Sequence, residues 1–447
     1  KFAKDRGLEV IQDDAYNVVI KKAGSRGAED HAPVMLQGHM DMVCEKRAGV
    51  EHDFEKDGLD LIIRDGRLTA NGTTLGGDNG VAVALMLMVL DDDEIEHPPV
   101  ECVFTTEEEV GLNGAKALDK SVLKARTMIN MDSEDEGVAT VSCAGGLRVQ
   151  FTKEIKRTTV QGSLLTLKVE GLLGGHSGQD IDKERQNADL LMARMIQRLL
   201  KETKGQLVSF NGGTKDNAIP RECEASLIYE SDEEAAKAEE LACELAETYA
   251  EELTPAEPDF SCEISCETNR TAEAIPQDAA KEFICAMRLA PNGIQKRNIK
   301  MDGFVVVSLN LGVVRTEEDR IVMIFSPRSS VASLQEDTKE RLNTLAETFG
   351  FTVSHSSEYP GWSFKEDSPV REICKESYKE LFGEDLKIEA IHAGLECGLF
   401  SDAIKGLDAI AIGPTIANCH TPDEYLTLDS FERFYEFLKD ILSRLAK

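Results

Sequence analysis

The sequence has little that would take it to a membrane or to nucleic acid. Its longest uninterrupted apolar run is VAVALMLMVL (81–90), about half of the ~20 residues that a membrane-spanning helix needs. No signal-peptide pattern is present. The chain opens at Lys1 in what reads as the middle of a helix (KFAKDRGLEV), so the native N-terminus is expected upstream. Basic charge is scarce: 50 Lys and Arg stand against 82 Asp and Glu, a formal net charge of −32. That balance argues against nucleic acid and anionic membrane partners, both of which reward basic patches. A disulfide framework is lacking too. The cysteines number 11, an odd count, and several sit inside apolar stretches (Cys44, Cys102, Cys143, Cys285, Cys374). Buried free thiols in a reducing, cytoplasmic setting are the expectation. Cys262 and Cys266 have no second pair nearby to complete a zinc pattern.

What is present is a globular composition, 41% hydrophobic and 30% charged, in a chain of 447 residues that is long for a single core. The first third alternates short apolar runs with helical patterns. PVMLQG (33–38), VECVFTT (100–106) and TMINM (127–131) have the length and near-continuous apolarity of buried parallel strands. Residues 79–90 read as a helix apolar almost all round, and NGAKALDK (113–120) as the start of another. Strands alternating with helices predict an α/β fold, with a mostly parallel sheet covered on both faces.

The middle of the chain has a different style. A strand (164–171), an amphipathic helix (187–202), a strand (223–230), a helix (232–252) and a strand (260–267) are followed by a similar plan. The second round has a helix (277–289), strands at 304–315 and 320–330, a helix (333–350) and a strand (351–357). Two α+β modules in tandem are expected. After EYPGW (358–362) the α/β style returns, with a helix (369–382), strands at 386–394 and 407–414, and a final helix (431–447). The expected organisation is a discontinuous catalytic domain of residues 1–146 and 357–447, interrupted by an inserted α+β lid domain at 147–356.

In open parallel sheets, ligands gather at the carboxyl edge of the strands. His39 and Asp41 follow the first strand in GHMDMV, and Glu107, Glu108 and Glu109 follow VECVFTT. Asp132 follows TMINM, His420 follows GLDAIAIGP, and Asp78 stands in LGGDNG before the apolar helix. Each has a plain alternative taken alone. A His-x-Asp pair is commonly structural, and Asp78 is placed to cap a helix. Three glutamates can form a solvated turn, and His420 can close one. The glycines around Asp78 lack the Lys-Ser/Thr that would complete a phosphate loop. Their conjunction at strand ends is the informative fact. Like charges about 4 Å apart repel by about 4 kcal/mol at an effective dielectric near 20, so a glutamate run needs either open water or a positive partner. Two histidines with several carboxylates form a mixed nitrogen and oxygen set that zinc, cobalt or manganese accepts. More carboxylates are present than one ion needs, which suits a two-metal site with one bridging carboxylate.

The motifs GHMDMV, GGDNG, TTEEEVG, MINMDSE, GGHSGQDI, NAIPRE, HAGLECG and CHTPDE occur in this order between residues 34 and about 426. In this the chain resembles the cytosolic dinuclear-zinc dipeptidases, in their aminoacyl-histidine (Xaa-His, peptidase D) branch, relatives of tripeptidase T, carnosinases and aminoacylases. The resemblance implies that His39, Asp78 and Asp132 hold one metal and that His420, Asp78 and Glu109 hold the other, with Asp78 bridging. It implies zinc, with cobalt or manganese as alternatives. Asp41 would orient the His39 imidazole, Glu108 would be the general base, and Glu107 would be spare. His176 in GGHSG would stabilise the oxyanion. Arg328, Asn217 and the backbone around Gly394 match substrate-binding positions. A cis peptide is expected at Asp78–Asn79. The implied activity is hydrolysis of dipeptides, Xaa-His and broader, by a hydroxide bridging two metals. A tripeptidase, an N-acyl amino acid deacylase or a non-catalytic metal-binding homologue are the alternatives. The implied partners are small peptides, and the implied state is a monomer or homodimer.

Overall fold

The computed structural model describes residues 1–299 and 303–447. The chain divides into two compact units, one of residues Lys1–Cys143 with Gly361–Lys447 and one of Ala144–Pro360. These divisions fall where long strands begin and end: Gly145–Glu154 opens the second unit, and Thr352–Tyr359 closes it.

The first unit is built on an eight-stranded sheet. From one edge its strands are Glu9–Gln12, Val18–Lys22, Val100–Thr105, Val34–His39, Thr127–Asn130, Asp408–Ala411, Val138–Cys143 and Lys387–Ile391. The Val34–His39 strand pairs in parallel with Val100–Thr105 on one side and Thr127–Asn130 on the other. Asp408–Ala411 joins Thr127–Asn130 in parallel, and Lys387–Ile391 joins Val138–Cys143 likewise. The Val34–His39 and Val100–Thr105 strands are buried at every position, which is why they read as continuous apolar runs without alternation. Met35, Leu36, Leu85, Met86 and Met128 are among the fully buried side chains between sheet and helices. Gly38 permits a close approach here: a Cβ on it would lie 2.3 Å from the Ala82 Cβ, so only glycine lets the helix Gly77–Asp91 sit on the strand that carries His39. A smaller four-stranded sheet joins Leu61–Arg64 and Arg67–Ala70 to Tyr425–Thr427 and Ile416–Ala417. Its antiparallel pairing of Ile416 with Leu426 places His420 in the connection between two strands.

The second unit is a nine-stranded antiparallel sheet with four long helices, Ala188–Glu202, Asp232–Leu253, Gln277–Leu289 and Ala332–Thr348. The two modules expected from the sequence are halves of one sheet, joined where Gly212 pairs with Val314. One apolar cluster runs through both halves, from Leu165, Met192 and Phe210 to Phe283, Phe325 and Phe351. Local propensity is visible at the helix ends. The Asn187 side chain accepts from the N–H groups of Asp189 and Leu190, and Ser368 with Pro369 starts the helix that Gly383 ends.

Several expectations are corrected in detail. NGAKALDK forms a helix only over Asn113–Ala117, followed by a short 3₁₀ turn at Lys120–Val122. The strand expected over 386–394 stops at Ile391, so Gly394 lies between it and an unanticipated helix, Glu396–Ala403. Every cysteine is a free thiol. Among the described residues no helix is long and apolar enough to cross a membrane.

Candidate metal centre

His39 is the last residue of its strand and is 1% exposed. Its Nδ1 faces the backbone carbonyl of Asp41 at 3.0 Å, with the Asp41 carboxylate at 3.5 Å. Its Nε2 faces Asp78 Oδ1 at 3.0 Å and Asp132 Oδ1 at 3.4 Å. An Nδ1–H that donates to the carbonyl leaves the Nε2 lone pair for a metal. On the other side of Asp78, His420 Nε2 lies 3.2 Å from Asp78 Oδ2 and 2.9 Å from Glu109 Oε1. Of the four groups of potential ligand atoms among the described residues, one joins His39 with Glu108 and Glu109, and two bear on the expected ligands: His39 with Asp78 and Asp132, and His420 with Asp78 and Glu109. Within each group the atoms lie within 4.8 Å of one another, and these last two share Asp78.

The loop that carries Asp78 is shaped by its surroundings. Asp78 does not cap the regular part of the helix Gly77–Asp91, which begins after non-helical dihedrals at Asp78 and Asn79. Asn79 does so, its Oδ1 accepting from Ala82 N–H at 3.3 Å while its Nδ2 donates to Asp132 at 3.0 Å. The Asp78–Asn79 peptide is cis. Glu424, 2% exposed, accepts from the N–H groups of Leu75 at 2.8 Å, Gly76 at 2.9 Å and Asp78 at 3.2 Å. This role could not be read in the sequence, because the loop it holds lies more than 340 positions away.

The glutamates of TTEEEVG separate by exposure. Glu107 is exposed, with a positive φ of 51°, whereas Glu108 and Glu109 are half-buried. The Asp41 carboxylate accepts from the backbone N–H of each of these two at 3.1 Å. Asp41 therefore does more than stand beside His39: most of its hydrogen bonding holds the glutamate turn in place.

The electrostatics are those of a crowded anionic site. Burial, with Asp132 and other carboxylates nearby, pushes the Glu108 carboxyl up to about 8. Burial also raises Glu109 and Asp132. Burial disfavours charge on His39, but the hydrogen bonds it donates to Asp132, Asp41 and Asp78 outweigh it and raise the imidazole. The hydrogen bond to Asp78 leads the rise of His420 to about 9. Histidines held as cations by surplus carboxylates are a donor set lacking its positive charge, and divalent ions would supply it. The residues fit such ions. Glu134 and Cys419 lie beside Asp78 as a further potential ligand group that the sequence reading left out.

The remaining candidates fall in two places. Gly394 belongs to the first unit. His176, Asn217 and Arg328 belong to the second, where His176 pairs with Ala218 in a short antiparallel ladder and Asn217 O accepts from Ser177 N–H at 2.9 Å. The His176 Nδ1 accepts from the N–H groups of Gln179 at 3.0 Å and Gly178 at 3.3 Å. Burial, reinforced by the Arg328 charge, lowers its pKa. The imidazole is therefore neutral at pH 7 with its proton on Nε2. Arg328 is 7% exposed, and its Nη1 donates to the Tyr359 hydroxyl at 3.1 Å.

Comparison with known proteins identifies the family. The model of the family described as Peptidase family M20/M25/M40 matches residues 35–444. The cytosol non-specific dipeptidase of Escherichia coli (strain K12) is 35% identical over 450 residues, covering 99% of this chain and 92% of its own length. The crystal structure of aminoacylhistidine dipeptidase from Vibrio alginolyticus superposes with a TM-score of 0.94 at 36% identity, covering 99% of this chain and 90% of that one. Aminopeptidase PepT from Bacillus cereus, at 18% identity and a TM-score of 0.55, shares the fold. On the match along nearly its whole length, this chain belongs to peptidase family M20/M25/M40.

Proposed function

We propose that this protein is a cytosolic metallopeptidase that hydrolyses dipeptides, Xaa-His among them, with two divalent ions, zinc being the expected metal. The observation that carries the reading is the pair of ligand groups sharing Asp78. The names of the Escherichia coli and Vibrio alginolyticus relatives support dipeptides as the substrate class.

His39, Asp78 and Asp132 would hold one ion, and His420, Asp78 and Glu109 the other. When bound, the ions would lower the pKa of a shared water and polarise the scissile carbonyl. Glu108 takes the proton from the attacking water and returns it to the leaving amine. Burial raises the Glu108 carboxyl in the metal-free protein, and nearby divalent ions would lower it again, leaving a carboxylate able to accept the proton and return it. Asp41 keeps Glu108 and Glu109 in register by accepting their backbone N–H groups. His176 donates its Nε2–H to the oxyanion that develops on the carbonyl oxygen, a role suited to a neutral imidazole whose Nδ1 is already occupied. Arg328 pairs with the substrate carboxylate, which its fork can bind through two parallel bonds. Asn217 and the backbone at Gly394 add polar contacts to the substrate.

A panel of dipeptides, tripeptides and N-acyl amino acids, assayed after loading with zinc or cobalt, tests the reading. Turnover of dipeptides, with Xaa-His included, is expected. Turnover confined to tripeptides or N-acyl amino acids would replace the substrate class, and no turnover by metal-loaded protein would overturn the enzymatic reading.

A further inference from the structure

Behind the candidate ligands runs a chain of buried polar side chains that the proposed reaction does not use. The strands Val100–Thr105, Val34–His39 and Thr127–Asn130 are parallel neighbours, with His39 opposite Thr105 and Gln37 opposite Asn130. Thr105 ends its strand just before the glutamate turn, Gln37 stands two residues before His39, and Asn130 stands two residues before Asp132. These three and Glu396, at the start of the helix Glu396–Ala403, each have 0% exposure.

Their hydrogen bonds run in one direction. Thr105 Oγ1 donates to Glu396 Oε2 at 2.7 Å, and Gln37 Nε2 donates to the same oxygen. Gln37 Nε2 also lies 3.1 Å from Thr105 Oγ1. Gln37 Oε1 accepts from Asn130 Nδ2 at 2.6 Å, and Asn130 Oδ1 accepts from the backbone N–H of Asp132 at 3.2 Å. Turning the Gln37 amide over would set its oxygen against the Glu396 oxygen and its NH₂ against that of Asn130. An acceptor at Glu396 therefore fixes every orientation down to the Asp132 backbone. Its other oxygen, Oε1, is buried with no hydrogen-bond partner, so the carboxyl is retained despite a desolvation cost that a neutral side chain would avoid.

We propose that Glu396 is a positioning residue. Acting through Thr105, Gln37 and Asn130, it locks together the ends of the three strands that present the glutamate turn, His39 and Asp132, and so sets the geometry in which metal is bound. The consequence for metal rests on the metallopeptidase reading; the locking of the strand ends does not. Burial pushes the Glu396 carboxyl up to about 7, against the hydrogen bonds from Thr105 and Gln37, which favour its charged form.

The test compares the full chain with Glu396→Met and Thr105→Val, and with Glu396→Gln as the conservative variant that keeps an acceptor oxygen. In metal-free protein, amide hydrogen exchange is followed in peptides covering 37–42, 105–112 and 129–134. With cobalt, the visible spectrum and the affinity against a competing chelator are recorded, and kcat and KM are measured on a dipeptide. Glu396→Met, which removes the acceptor at similar volume, is expected to speed exchange at these three segments above any change elsewhere, whereas Glu396→Gln should stay near wild type. Glu396→Met should also alter the cobalt bands, weaken cobalt binding 10- to 100-fold and lower kcat to a similar degree, with KM within about threefold. Thr105→Val, which removes one donor at nearly constant volume, should do the same to a smaller degree. In Glu396→Met, unchanged exchange at the three segments with cobalt affinity within twofold would overturn the proposal, as would faster exchange spread evenly over the chain with an unaltered cobalt spectrum. If Glu396→Met does not fold, Thr105→Val decides by the same criteria. Wild-type protein that binds no cobalt would remove the metallopeptidase reading, and the exchange arm would still judge the positioning role.

Discussion

Glu108 and Glu109 are chain neighbours whose backbone N–H groups share one acceptor, yet their side chains meet different partners. Glu109 reaches His420, whereas Glu108 is surrounded mainly by carboxylates and pushed up to about 8. A group so placed is suited to moving a proton, and its neighbour to holding a cation. Glu108→Gln keeps the volume and removes the base, so kcat should fall by about 10²–10⁴ with two metals retained per chain. Steady-state kinetics paired with metal analysis checks both halves, and loss of metal would make Glu108 a ligand. His176→Ala should lower kcat by about 10²–10³, the scale of one oxyanion donor, and leave metal content unchanged. A drop in metal content would contradict the assignment. The sequence made the ligand types legible because histidines and carboxylates at strand ends are few and chemically distinctive. It hid how they are held. Asp41 clamping the glutamate turn, and Glu424 accepting three N–H groups of the Asp78 loop, use acceptors whose partners are distant in sequence and leave no periodic trace.

At the scale of elements, the strands and helices of both units followed apolar periodicity closely, because buried strands and amphipathic helices need those patterns wherever they pack. The sheet order of the second unit was not legible. Its two halves look alike locally, and nothing in either pattern states that Gly212 will pair with Val314 and make them continuous. The helix Ala188–Glu202 carries a further feature that periodicity misses. Asp189, in its first turn, is fully buried beside Cys223, and burial pushes its carboxyl up to about 8. In the unfolded chain this carboxyl ionises near pH 4. Between pH 4 and 8 folding therefore takes up a proton, and stability falls as pH rises, levelling off above the folded pKa. Asp189→Asn should flatten that part of the profile and stabilise the second unit at pH 8 by on the order of a few kcal/mol. Urea unfolding at pH 5 and pH 8 tests this, and an unchanged difference between the two pH values would refute it. Asn187→Ala should cost about 1–2 kcal/mol at either pH. It removes the cap on two N–H groups and a 2.8 Å bond to the Leu311 carbonyl.

For the whole molecule, the division into two units makes metal binding a test of organisation as well as of chemistry. Among the described residues, every candidate ligand belongs to the unit of residues 1–143 and 361–447, and none to 144–360. A ligand stabilises only what must be folded to bind it, by about 2.7 kcal/mol when its concentration is 100 times the Kd. In the metal-free protein the ligands are crowded carboxylates with two imidazoles, within a chain of formal net charge −32, so divalent ions relieve repulsion as well as gaining ligands. Adding zinc or cobalt should therefore raise the midpoint for the ligand-bearing unit in a concentration-dependent way, and a chelator should reverse it. Hydrogen exchange resolves the units, since each reports its own opening. Protection should grow in peptides from 1–143 and 361–447, most at 37–42, 76–82 and 129–134, and change far less in 144–360. Equal gains in both units would mean that they unfold as one cooperative body. Gains confined to 144–360 would move the metal centre to the second unit and with it the assignment of His39, Asp78, Glu109, Asp132 and His420.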